Sequence, residues 1–216
     1  MDTNENRTDK SSLNIHIMNV SLLFSPILIC FLISCGNEGE KEARVNETVA
    51  IDTAIDYEET GLRFANSTQA VLGKNLVNAI NEKGAVGALE FCNEKAFPLT
   101  DSMARVLKAS IKRVSDKPRN KNNLATGNES AHIQTFKESL AKGEQPKPVI
   151  MEINGKMVGH YAIITNKMCL QCHGMVNQDI LPQTLSKIKK LYPEDKATGY
   201  TENQVRGLWV VEMKKN

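Results

Sequence analysis

At 216 residues the chain has room for one domain with a real core plus a targeting segment, and it is short for two full domains. A formal net charge of +2 with 24% charged residues describes an ordinary surface without the basic stripe that nucleic acid requires, so nucleic acid is not an expected partner. Aromatic residues make up only 5%, so the core rests on aliphatic and alanine-rich runs or gains apolar area from a bound group.

Residues 20–33 form an apolar run interrupted by Pro26. A membrane span needs about 20 apolar residues, so the run fits the hydrophobic region of a secretory signal better. Leu32-Ile33-Ser34-Cys35-Gly36 follows it directly and has the form of a bacterial lipobox, with Cys35 as the acylated residue. Arg7 and Lys10 lie well before the run, and Met18 offers an alternative start. The expected organisation is a lipoprotein signal peptide over 1–34, a polar tether over 35–47 and a folded domain over 48–216. That domain would be extracytoplasmic, held to a bacterial membrane by lipid on Cys35; a plain transmembrane anchor places it on the same side. Asn-X-Ser/Thr triplets begin at Asn46, Asn66 and Asn128, but a lipobox disfavours glycosylation.

From about Thr48 to Leu107 the apolar spacing predicts helix, with breaks near Gly61, Gly84 and Pro98. Within it Val86, Leu89, Cys92 and Ala96 share one apolar stripe, which turns Cys92 inward; a small buried hydrophobe is the plainer reading of that residue. Ser115 to Asn128 reads as a loop. Arg113, just before it, and Arg119, within it, suit carboxylates such as haem propionates, or are solvated charges. A helix over Glu129–Ala141 carries His132 on its surface. Two strands, from Pro148 to Ile153 and from Lys156 to Thr165, are joined by Asn154-Gly155, a strong tight-turn signal. His160 sits in the second strand. A helix from about Gln178 to Leu191, with Lys187, Lys189 and Lys190 on an exposed face, precedes a last strand over Gly207–Met213. Helices first and strands later predict an α+β fold with an antiparallel sheet.

The cysteines are Cys30, Cys35, Cys92, Cys169 and Cys172. With Cys30 in the signal and Cys35 acylated, three remain, and three cannot all pair. Cys169-Leu170-Gln171-Cys172-His173 is the pattern of a covalent haem attachment site: two thiols so spaced reach the two vinyl groups of one porphyrin, and the next imidazole falls over the iron. A thioredoxin-type pair needs no following histidine. A zinc site would have to recruit Cys92, His132 and His160, and a disulfide between residues three apart is strained. A second axial ligand could come from His132, His160, Met103, Met151, Met157, Met168, Met175, Met213 or Cys92. Met168 and Met175 sit too near the attachment site to reach the opposite face of the iron easily.

Four separated segments resemble a known family: Ala88 to Ala96, Ile111 to Asn120, Cys169 to Gly174, and Tyr192 to Tyr200 followed by Val205 to Trp209. They are similar to extracytoplasmic monohaem c domains with a PAS-like fold and no assigned function. The family pattern continues Asn-Pro after the arginine, where this chain has Asn120-Lys121. The resemblance implies a PAS-like antiparallel sheet with long N-terminal helices packed on it, one covalent haem c, His173 as proximal ligand and Cys92 as distal ligand. Iron held by both His173 and a thiolate leaves no open site for substrate, which points to redox or ligand sensing or electron transfer and not to an enzyme, with a separate redox or signalling protein as partner. The enzymatic alternative, a peroxidase with an open iron face, would use His132 or His160 as its acid–base residue.

Overall fold

The structure, a computed structural model, describes residues 55–216. The signal segment, Cys35, the tether and residues up to 54 lie outside the described residues.

Helix α1 (Tyr57–Glu94) starts where the Asp56 carboxylate accepts the backbone N–H groups of Glu58 and Glu59 at 2.9 and 3.0 Å. That cap satisfies otherwise orphaned donors, and Glu58 and Glu59 complement the positive end of the helix. The expected break at Gly61 is absent. Gly61 is where α1 crosses the sheet: a Cβ there would lie 2.0 Å from the Tyr161 hydroxyl oxygen, which itself donates toward the carbonyls of Tyr57 and Glu58. The break at Gly84 is real, with φ 65° and ψ −170°, a conformation open essentially to glycine alone. It divides α1 into two helical arms. Lys95 separates α1 from α2 (Ala96–Leu107), and Pro98 falls in the first turn of α2, where its missing N–H has no intrahelical partner to lose.

Strand β1 (Ser110–Val114) was not anticipated. It lies at a sheet edge and pairs only with the last strand, and its lysine and arginine hide the two-residue alternation of Ile111 and Arg113 against Lys112 and Val114. The following loop contains a short 3-10 turn, Lys121–Asn123, capped by the Asn120 side chain, which accepts from Asn122 N–H at 3.0 Å. That is where the chain departs from the family pattern. Helix α3 (Asn128–Ala141), β2 (Val149–Ile153) and β3 (Lys156–Ile164) follow as expected, with Asn154 and Gly155 both at positive φ in the hairpin turn. Next come α4 (Lys167–His173), α5 (Pro182–Leu191) and β4 (Val205–Lys214). Helix α5 begins at Pro182, not Gln178, because proline suits the first helical position and the Asp179 carboxylate holds Met175 N–H at 2.8 Å in a preceding turn.

The sheet order is β1-β4-β3-β2, antiparallel throughout, the expected α+β, PAS-like arrangement. On one face Tyr161, Trp209, Val211 and Met213 pack against Ala65 and Leu72 of α1 and Ala96 of α2. On the other, Val158, Leu208 and Val210 pack against Ile133 and Phe136 of α3. A third cluster joins Leu89, in the second arm of α1, to Ile180, Ile188 and Tyr192.

Candidate functional site

The kink at Gly84 leaves a cavity of about 620 Å³ between the arms of α1, the sheet and α4. That volume lies in the range of about 300–1,000 Å³ common to cofactor pockets. Apolar residues of α1 (Leu72, Leu76, Ile80, Leu89, Phe91) and Trp209 form much of its lining, and Cys92, Cys169, Cys172 and His173 all open into it.

Helix α4 is a two-turn element. Asn166 caps it, accepting from Met168 and Cys169 N–H at 3.0 and 3.3 Å. Helical spacing then sets Cys169, Cys172 and His173 on one face, since positions i, i+3 and i+4 are neighbours. His173 Nδ1 lies 2.7 Å from the Ala197 carbonyl, so Nδ1 carries the proton and Nε2 keeps its lone pair. Burial, then the Arg119, Arg206 and Arg113 guanidiniums, push this imidazole well below its ordinary pKa, so it is neutral at physiological pH. The Cys172 thiol is pushed up to about 11, by burial first, with Arg119 opposing. The Cys92 thiol is pushed up by burial as well, against Arg113 and Arg119, both of which favour its thiolate. Cys92, Cys169 and Cys172 are all unpaired thiols.

The segment carrying Ala197 is locked by Arg119. Its guanidinium donates to both Asp195 carboxylate oxygens, at 3.0 and 3.3 Å, to the Cys172 carbonyl at 2.6 Å and to the Ala197 carbonyl at 3.2 Å. Both side chains are buried. Gly199 and Tyr200 N–H groups complete the seam by donating to the Gly174 and His173 carbonyls at 2.8 and 3.0 Å. Arg119 thus commits Nε and Nη2 to the protein itself, while the residue also lines the cavity. Arg113 differs: it stacks over Trp209 at 5.5 Å and, among the described residues, pairs with no carboxylate. Arg206 lies over Tyr200 at 5.4 Å and donates to Ser115 Oγ at 2.8 Å, while its buried Nε has no partner. The roles of Arg206, Asp195 and the Ala197 carbonyl were not apparent from sequence. The only trace of them was their place inside the segments that carry the family resemblance.

His132 and His160 are elsewhere. Their rings meet at a tilt of 50° with centroids 4.6 Å apart, between α3 and the far face of the sheet, and His160 Nδ1 meets the Val149 carbonyl at 3.3 Å. His132 is thus not a free surface residue. Of the methionines weighed as ligands, Met168 lines the cavity; Met103, Met151, Met157, Met175 and Met213 do not.

Residues 40–213 match the family model described as Tll0287-like. Among solved structures, the crystal structure of the cyanobacterial heme-protein Tll0287 superposes with a TM-score of 0.54 at 17% identity, covering 75% of this chain and 98% of that one. No curated protein matches the sequence. The family match spans most of the chain, and the fold agrees with it over nearly all of the solved relative: the chain belongs to the Tll0287-like family.

Proposed function

We propose that this protein binds one haem c in the cavity, with Cys169 and Cys172 as thioether attachment points, His173 as proximal ligand and Cys92 as distal ligand. We read its role as redox or ligand sensing or electron transfer outside the cytoplasm, not as enzymatic turnover. The observation that carries the haem reading is the His173 to Ala197 hydrogen bond beside the two thiols: it presents Nε2 as a ligand in a cavity that already holds both attachment cysteines. The solved relative is described as a heme-protein, which agrees.

The lining fits such a group on other grounds. Arg113 and Arg206 are desolvated cations that form no salt bridge among the described residues, although Asp195 is close enough to favour the charge of Arg206, and such cations suit propionates. Gly73 lies in the middle of α1 on the cavity wall, and a Cβ there would meet no atom within 4 Å. A helix-interior glycine costs about 1 kcal/mol against alanine, so space for a neighbour that is not polypeptide is a reason to keep it. Bound here, the haem would supply a one-electron iron couple. Arg113 and Arg119 favour the Cys92 thiolate, the apolar wall excludes water, and His173 keeps one tautomer. Cys92 stands on the arm of α1 beyond Gly84, so its retention or release would act on a helix that Leu89 clamps to Ile180 and Ile188. The peroxidase alternative draws no support from His132 and His160, which sit across the sheet. Extracytoplasmic placement and anchoring by membrane lipid rest on the pattern of residues 20–36, and a separate redox or signalling protein is the proposed partner.

The test is expression with a c-type maturation system. The protein should be red and stay red after acid–acetone extraction, and Cys169→Ser with Cys172→Ser should make the colour extractable. Paramagnetic resonance should show a thiolate-ligated low-spin ferric signal that Cys92→Ala abolishes. Extractable colour in the unaltered protein would overturn covalent attachment, and an unchanged spectrum in Cys92→Ala would overturn the distal ligand.

A further inference from the structure

The cavity lies at the end of the sheet formed by Val114, Ile163 and Gly207. At the other end of the same strands, the start of β1, the start of β3 and the end of β4 meet the last turn of α2 around a second, open cavity of about 460 Å³. Its charged lining is Arg105, Lys108, Lys156, Lys214 and Glu212. Lys156 is paired with Glu212 and the neighbouring Lys215 with Glu152, whereas Arg105, Lys108 and Lys214 have no salt-bridge partner among the described residues. Asp56, Glu58 and Glu59 at this end complement the start of α1. Val106, next to Arg105 in sequence but not part of the cavity lining, is 70% exposed, the most exposed large hydrophobic residue described.

The entering chain lies at the same end. Asn216 N–H donates to the Tyr57 hydroxyl at 2.9 Å, and Gly61 abuts Met213, which lines the basic cavity. Tyr57 follows Cys35 by 22 residues, which even fully extended span no more than about 80 Å. We propose that this basic corner is the membrane-facing side of the domain, where Arg105, Lys108 and Lys214 meet the phosphates of anionic lipid headgroups and Val106 enters the interface. The proposal rests on the reading of Cys35 as the acylated anchor. Tethering supplies a high local lipid concentration, so a weak electrostatic contact is enough to set the orientation. That orientation directs the end of the sheet bearing Cys169, Cys172 and His173 away from the bilayer, toward a soluble partner.

The test uses the full-length, haem-loaded protein on vesicles of phosphatidylcholine with and without phosphatidylglycerol, read by hydrogen exchange of residues 104–110. Exchange should slow several-fold on the anionic vesicles only and recover in high salt. Each cation removed should weaken docking about fivefold, so R105Q/K108Q/K214Q should lose the protection with an unchanged haem spectrum. Equal exchange on both vesicle types would overturn the proposal, and so would the same protection produced by inorganic phosphate on neutral vesicles, which would mark a free-anion site. The mass of the N-terminal peptide from the same sample reports Cys35 acylation separately, so a missing anchor and a missing headgroup contact are told apart.

Discussion

Arg119→Gln is expected to be among the most destabilising single changes in the domain, while Lys121→Gln, two residues away, is expected to be nearly silent. Arg119 and Asp195 form a buried, two-pronged ion pair at 9% and 7% side-chain exposure, and the guanidinium also satisfies the carbonyls of Cys172 and Ala197. Removing one partner of such a pair leaves an uncompensated buried carboxylate, at a cost of about 3–5 kcal/mol. For a domain of this size each kcal/mol lowers Tm by about 2–4 °C, which gives a drop of roughly 6–20 °C. Lys121 bridges Glu194 at 3.2 Å with both side chains largely exposed, a contact worth about 0–1 kcal/mol. Thermal unfolding by far-ultraviolet circular dichroism, on holoproteins of equal haem content, measures both. The Arg119 change should also disturb the haem spectrum, because the segment it holds carries the carbonyl that orients His173. Similar small shifts for both variants, with an unaltered Arg119→Gln spectrum, would refute the assignment of Arg119 as the lock on this segment.

Gly61→Ala should destabilise the fold by about 1–3 kcal/mol in urea titration despite alanine's better helix propensity, because the new methyl would overlap the Tyr161 hydroxyl. His160, held below its ordinary pKa first by burial and then by His132, binds a proton more readily unfolded than folded. The unfolded state therefore takes up protons first as pH falls below about 6.5, and stability is present above that value and lost beneath it. His160→Gln should flatten the slope of unfolding free energy below about pH 6.5. Arg113→Gln, by removing an unpaired cation from the cavity wall, should lower the midpoint potential in spectroelectrochemistry and weaken thiolate retention on reduction; an unchanged potential would show that Arg113 faces no charged group there.

Features that depend on neighbours in sequence were legible from the chain alone. Asn154-Gly155 determines its own hairpin turn, Gly84 its own kink, and Cys169 to His173 places three side chains on one helical face whatever surrounds it. The inward turn of Cys92 followed from the same local periodicity. What required the tertiary structure were decisions made by distant partners. Strand β1 exists because β4 pairs with it, and its charged composition favours strand only in that company. Gly61 continues a helix because Tyr161, a hundred residues on, needs its space. Arg119, expected to be a loop charge or a cofactor contact, is taken by Asp195, 76 residues away, and the imidazole of His173 is oriented by the carbonyl of Ala197, a group no side-chain pattern records. Local backbone preference is written residue by residue, but which buried cation keeps its charge unpaired depends on the carboxylates that folding brings to it, and that count decides where an anionic cofactor fits.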